Sequence, residues 1–209
     1  MDHDELLMKI ASNTSHEIVI EKSRFICYLF RIDNEREIKE LINLLKKEHQ
    51  NANHVCSAAV CYENNRFQRS NDDGEPKGTA GAPMLNVLNM SGMNDTLAVV
   101  VRYFGGIKLG AGGLIRAYSK AVSECLKQAN LVEIVKTNKY HVKVNYELNN
   151  KVENLLRKKA LNFTVDYDLD VTYTYLADDS LELDLLELSS GQIKPKFIET
   201  IDLEKEISL

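Results

Sequence analysis

The stretch Thr96-Leu97-Ala98-Val99-Val100-Val101-Arg102-Tyr103-Phe104-Gly105-Gly106-Ile107-Lys108-Leu109-Gly110-Ala111-Gly112-Gly113-Leu114-Ile115-Arg116 decides the fold. Its first third is an unbroken apolar run rich in valine, the pattern of a central strand covered on both faces. Five glycines follow, where the backbone must bend or approach something closely. Leu114, Ile115, Tyr118, Ala121, Val122, Cys125 and Leu126 then recur at helical spacing. They predict a helix from about Gly112 to Asn130. A strand that passes through a glycine loop into a helix exposes free N–H groups and a dipole that favour an anion.

Nine of the ten glycines lie between Gly74 and Gly113, so the unusual backbone is concentrated in one region. The other glycine run is Asn71-Asp72-Asp73-Gly74-Glu75-Pro76-Lys77-Gly78-Thr79-Ala80-Gly81-Ala82-Pro83. Its Asp-Gly and Glu-Pro steps predict a loop through Gly78. A helix over Thr79–Met90 follows, with Thr79 as cap and Pro83 in the first turn. Upstream, strands are predicted at Glu17–Ile20, Phe25–Ile32 and Val55–Tyr62. A turn follows at Glu63-Asn64-Asn65, then a short returning strand at Arg66–Gln68. Glu35–His49 reads as an amphipathic helix capped by Asp33 or Asn34, with Ile38, Leu41, Ile42 and Leu45 on one face. Met1–Asn13 reads as a polar arm or short helix.

The glycines stop near Lys136–Asn138, which predicts a domain boundary, with residues 1–135 before it and 136–209 after. The second part reads as strand Tyr140–Leu148, helix Asn150–Leu161, strands Thr164–Asp168 and Asp170–Ala177, helix Leu181–Leu188 behind Asp178-Asp179-Ser180, and strand Gln192–Ile201. That βαββαβ order is the ferredoxin-like pattern, and the fold class is α+β.

No stretch reaches the roughly 18 apolar residues needed to span a bilayer. The start, Met1-Asp2-His3-Asp4-Glu5, is acidic, which argues against a signal peptide and for a cytoplasmic location without a membrane partner. Cys27, Cys56, Cys61 and Cys125 contain no Cys-x-x-Cys pair, so neither a zinc ribbon nor a thioredoxin-type centre is predicted. They are expected to be reduced and buried. The net charge of −5 conceals a local reversal: Arg102, Lys108, Arg116, Lys120 and Lys127 face only Glu124 within Arg102–Lys127.

The glycine loop is not a standard nucleotide fingerprint. A Walker A loop needs G-x-x-x-x-G-K-S/T, but Ala111 and Gly112 follow Gly110. A Rossmann G-x-G-x-x-G begun at Gly110 would need glycine where Ile115 stands. What remains is a general anion cradle at Gly112–Leu114 flanked by Lys108 and Arg116, or tight packing of helix on strand. The acidic turn Asp72-Asp73-Gly74-Glu75 offers carboxylates for Mg²⁺ or for acid–base work. It also reads as a solvated turn whose carboxylates cap backbone and pair with Arg66, Arg69 or Arg102. His54-Val55-Cys56 admits a Cys/His nucleophile or a buried structural pair. Arg102-Tyr103-Phe104 offers stacking surfaces for bases or simply core aromatics.

Lys22-Ser23-Arg24-Phe25-Ile26, the His54/Cys56 pair, the run from Asp72 to Gly81 and the run from Arg102 to Tyr118 together resemble the IMPACT/YigZ family. The resemblance covers Glu17–Asn130, and the remainder is similar to the smaller C-terminal domain of bacterial members in pattern. It implies a ribosomal protein S5 domain 2-like fold for the first domain and a ferredoxin-like fold for the second. This pairing is similar to the last two domains of elongation factor G. Eukaryotic members regulate translation by competing for an activator of an initiation-factor kinase through an extra N-terminal RWD domain. The sequence ahead of Glu17 is too short for that domain, so this role is not carried over.

Three functions follow as expectations. The first is a non-catalytic RNA- or ribosome-binding translation regulator that needs no cofactor, using Arg102, Lys108, Gly112, Gly113, Arg116 and Lys120 on phosphates. The second is a metal-assisted hydrolase built on Asp72, Asp73 and Glu75, with His54. The third is a regulator that presents both loops to a protein partner.

Overall fold

In a computed structural model, the structure describes residues 8–61 and 67–207. It is a mixed α+β protein with two sheets and five helices among the described residues. It divides into two compact units, residues 1–134 with 205–209, and residues 135–204.

In the first unit a five-stranded antiparallel sheet is built from β2 (Thr14–Ile20), β3 (Ser23–Arg31), β4 (His54–Cys61), β5 (Phe67–Asn71) and β6 (Thr96–Tyr103), β1 (Met8–Ile10) lying outside it. The spatial order is β2-β3-β6-β4-β5, which puts β6 at the centre. Val99 stands between Tyr28 of β3 and Ser57 of β4. Helices cover both faces, so β6 is buried from Thr96 to Arg102. This is why its sequence runs apolar without alternation.

Helices α2 (Gly81–Met90) and α3 (Gly110–Gln128) pack on one face, with Phe25, Cys27, Met84, Leu88, Leu114, Tyr118 and Val122 in the core. The amphipathic α1 (Glu35–Glu48) covers the other, placing Ile38, Leu41, Ile42 and Leu45 over Val55, Ala59, Leu97 and Val99. Asn34 caps α1 by accepting from the Arg36 and Glu37 amides, while Glu37 accepts from the Asp33 amide. This reciprocal arrangement satisfies otherwise orphaned donors. A buried Lys9–Asp95 ion pair (2.7 Å) ties β1 to the start of β6.

The second unit contains most of β7 (Leu131–Val144), then α4 (Asn149–Lys159), β8 (Asn162–Tyr167), β9 (Val171–Ala177), α5 (Glu182–Leu188) and β10 (Lys196–Glu206). The strands lie in the order β10-β7-β9-β8. Val142, Val144, Tyr173 and Tyr175 face Val152, Leu156 and Leu185 in its core.

Four local expectations are corrected. The strand expected from Tyr140 starts at Leu131, because Leu131–Glu133 pair with β1. The short β1 was read as an arm, since three residues give no periodicity to detect. Thr79 does not cap α2; its hydroxyl donates to the Pro76 carbonyl, and Asp72 takes the capping role from eight residues upstream. The last strand runs over Lys196–Glu206, beyond the expected Ile201. The turn at Glu63-Asn64-Asn65 and any pairing by Arg66 lie outside the described residues, as do Met1–Leu7.

Candidate nucleic-acid interface

One end of the first sheet gathers nearly all of its unusual backbone. There β2 turns into β3 at Glu21 and Lys22, β5 runs into the acidic loop at Asp73, Gly74 and Gly78, and β6 runs into the glycine loop at Gly106 and Gly110; all of these residues have positive φ. Only glycine adopts that region without cost.

The acidic loop turns its carboxylates inward. Asp72 accepts from the amides of Gly78 (2.8 Å), Ala80 (3.0 Å) and Gly81 (2.8 Å), the open N-terminus of α2. Partial burial pulls its carboxyl upward, but those three amides outweigh it and hold the pKa below the ordinary value. Asp73 accepts from the Val55 amide (2.7 Å) and from Lys46 Nζ (2.5 Å). Glu75 enters the core with its side chain 3% exposed, pairing with Arg102 Nη1 (2.5 Å) and accepting from the Tyr118 hydroxyl (2.7 Å). The three carboxylates therefore serve three different sets of partners. Among the described residues, no group of three or more His, Cys, Asp or Glu side chains converges in a way that could hold a metal.

Arg102 requires a correction. Sequence reading assigned it to the phosphate-binding face, but it is 5% exposed, paired with Glu75 and packed between the rings of Phe25 (5.3 Å) and Phe104 (5.6 Å). The reason is register: as the seventh residue of β6, Arg102 points to the α2/α3 face like Val100 and Ala98. Arg69 pairs with Glu35 rather than with the acidic loop.

The His54/Cys56 pair lies under the same loop. His54 Nδ1 donates to the Asp73 carbonyl (2.9 Å), and Nε2 stands 3.8 Å from Glu75. Cys56 Sγ is near the Asp72 carbonyl (3.0 Å) and the Tyr118 hydroxyl (3.4 Å). Burial, with the surrounding carboxylates, pushes the Cys56 thiol up to about 12 despite the Tyr118 contact. A thiol that stays protonated is not a nucleophile at neutral pH. Burial likewise raises Tyr118. The third group of this cluster is Glu75, twenty-one residues beyond His54, a meeting that local spacing does not show.

The glycine loop behaves in the opposite way. No side chain caps α3, and its first turn holds no acidic residue. Gly110, Ala111 and Gly112 are exposed. The Arg116 guanidinium folds back along the helix, its Nη1 3.7 Å from where a Cβ on Gly112 would sit. Lys108, Arg116 and Lys120 line one cleft of about 520 Å³ together with Ile107, Gly113 and the hairpin residues Ile20 and Glu21. Arg116 and Lys120 are one helical turn apart and so point the same way. Among the described residues none of the three cations is in an ion pair; Glu124, one turn beyond Lys120, is held by Lys127 (2.9 Å). Of the predicted contact residues, the structure brings together Lys108, Gly113, Arg116 and Lys120, with Gly112 beside Arg116, and sets Arg102 apart. Sequence reading missed Glu21, because nothing in Glu21-Lys22 signals which loop it faces.

An α+β protein with an inward acidic loop and an outward basic one matches a known family. The Impact N-terminal domain model matches residues 21–126. The IMPACT family member YvyE of Bacillus subtilis (strain 168) is 46% identical over 198 residues, covering 92% of this chain and 91% of that protein. The IMPACT family member YigZ of Escherichia coli (strain K12) is 40% identical over 139 residues, covering 66% and 68%. A crystal structure titled only as a hypothetical protein shares 33% identity with a TM-score of 0.59, covering 92% of this chain and 97% of that one. The chain belongs to the IMPACT family.

Proposed function

We propose that this protein is a non-catalytic, cytoplasmic RNA- or ribosome-binding factor that acts on translation through the cleft of Lys108, Arg116 and Lys120. The observation that carries this reading is the convergence of three unpaired cations around an exposed, uncapped helix start. Phosphate oxygens satisfy both cations and free amides. The net charge of the chain is −5, so the cleft is a local basic region on an acidic molecule. The strand order of the second unit supports the ferredoxin-like assignment; the ribosomal protein S5 domain 2-like assignment of the first, and the elongation-factor resemblance, rest on the family resemblance of its motifs. On this reading residues 1–135 form the binding domain and 136–209 an accessory domain.

Ribosome co-sedimentation at about 50 and about 200 mM salt tests the proposal. Wild type co-sediments at the lower salt and dissociates at the higher. Lys108→Glu/Arg116→Glu does not bind at either. Each lost phosphate contact lowers the log–log salt slope by roughly 0.7–0.9. Absence of salt-sensitive binding to ribosomes, transfer RNA and ribosomal RNA fragments ends the reading.

A protein partner is favoured by one observation. Phe104, Ile107 and Ile115 expose apolar surface around the same loop. Capture of a partner that survives nuclease treatment would support that alternative. A metal-assisted hydrolase on Asp72, Asp73 and Glu75 is not retained, because their oxygens are engaged by backbone amides, Lys46, Arg102 and Tyr118.

A further inference from the structure

The cleft contains one group that phosphate binding does not explain. Glu21 lines it with the three cations, yet its side chain is exposed and, among the described residues, makes no ion pair or hydrogen bond. It does not sit there by accident of a mobile turn. Ile20 pairs with Ser23, so Glu21 and Lys22 form a two-residue hairpin loop with φ of 45° and 63°. Such turns ordinarily use Asn-Gly, and two non-glycine residues at positive φ are strained. The glycine loop holds the strain in place. A Cβ on Gly105 would lie 2.0 Å from the Lys22 carbonyl carbon, and the Gly105 amide donates to Ser23 Oγ (3.1 Å). The hairpin is thus seated directly on the loop that carries Lys108.

A carboxylate accepts hydrogen bonds and repels phosphate. Among three cations it leaves a net attraction for anions while demanding a donor next to the phosphate it admits. The 2′-hydroxyl of ribose is such a donor, one sugar away from each phosphate, and deoxyribose lacks it. Carboxylates at anion sites make this contact with ribose elsewhere. The i,i+4 spacing sets the Cα atoms of Arg116 and Lys120 about 6 Å apart along α3, and with the Arg116 guanidinium turned back toward Gly112 the two charges lie at successive points along the helix, suited to successive phosphates of an extended strand. Exposed Ile107 beside them offers apolar surface to an unpaired base.

We infer that Glu21 is a specificity residue that selects ribonucleotide strands by accepting a hydrogen bond from a 2′-hydroxyl while Lys108, Arg116 and Lys120 hold the adjoining phosphates. The inference rests on the phosphate-binding reading above and names its ligand as unpaired RNA.

Fluorescence anisotropy at about 50 mM salt with labelled ten-residue oligouridine, oligodeoxyuridine and 2′-O-methyl-oligouridine tests it. Wild type binds the ribo-oligomer roughly tenfold more tightly than either analogue, the low end for a hydrogen bond to a charged group. Glu21→Gly removes the carboxylate and suits the positive φ, so the hairpin survives. It binds all three alike. Glu21→Gln, which keeps an acceptor, retains part of the preference. Equal binding of the three by wild type, or an unchanged preference in Glu21→Gly, overturns the inference and leaves phosphate binding standing. Failure of wild type to bind any of them overturns it and counts against the underlying reading as well. A constant ratio across uridine and cytidine series excludes readout of a base amino group, and a ratio that follows the base overturns the ribose assignment.

Discussion

The two glycine-rich loops resemble each other in sequence and differ in use. Residues 72–81 carry three carboxylates, and every one is engaged by an amide, a cation or a hydroxyl of the protein itself. Residues 104–113 lead to cations and amides that the protein leaves open. Both leave the same end of the sheet, from β5 and β6 with β4 between them, and both use glycine to reach conformations closed to other residues. The difference teaches that a charged glycine loop is not in itself a site. What matters is whether its polar groups are satisfied internally, because a satisfied group has little left to offer a ligand.

The largest break in this comparison is expected from Glu75→Ala. It leaves Arg102 charged and unpaired beneath the loop, which costs roughly 3–5 kcal/mol. Chemical denaturation should show a midpoint shift of that size, and a change under about 1 kcal/mol would mean that Arg102 reaches water. Glu75→Gln, which keeps an acceptor for Tyr118, should cost less.

Gly105→Ala is next. Its methyl group would meet the Lys22 and Ser23 backbone at 2.0–2.4 Å, so the hairpin must lift from the glycine loop. Overpacking of this kind costs about 1–3 kcal/mol. The same variant should weaken ligand binding at the cleft, because Glu21 moves with the turn. A variant as stable as wild type would show that the hairpin is not clamped.

Asp72→Ala should cost about 1 kcal/mol through loss of the α2 cap. Its pH dependence sharpens the comparison. The folded-state pKa lies below the ordinary value, so the stabilisation is complete above the unfolded pKa and is lost as pH falls through the folded one. Wild type should therefore lose stability below about pH 4 more steeply than Asp72→Ala. Parallel acid limbs in thermal melts from pH 2.5 to 7 would contradict the capping role.

The smallest expected effect on stability is that of Lys108→Glu/Arg116→Glu, within about 0.5 kcal/mol, since both side chains are exposed and unpaired. A stability loss comparable to that of Glu75→Ala would place these cations among the structural residues. The contrast between an unchanged melt and lost binding is the sharpest separation of the outward loop from the inward one.

Much of the fold is legible in the sequence. The apolar run Leu97–Val101 marked the central strand because burial on both faces removes alternation. Helices α1 and α3 are visible in their 3.6-residue spacing, and local chemistry narrows the cap of α1 to Asp33 or Asn34, of which the structure uses Asn34. The basic residues of the glycine loop were visible as residues, and the motifs around them identified the family. Less of the cleft could be read. Arg102 looks like Lys108 in one dimension, and only the register of β6 against the α2/α3 face turns it inward. Glu21 and Lys108 are 87 residues apart, and no periodicity links them. Asp72 caps a helix eight residues away through a folded loop, beyond the reach of any capping rule based on adjacency.

Sequence alone determined the long strands and helices, though not the short β1 or the start of β7, because hydrophobic period and turn chemistry act over a few residues. It also determined that glycine and charge are concentrated in two loops. Tertiary structure alone decided which charges neutralise each other and which face water. That outcome depends on strand register and helix cover, which bring Glu75 to Arg102, and Glu21 to Lys108 and Arg116, across the full width of the fold. Electrostatic partnership depends on distance in space and on burial, and neither is a property of a linear chain.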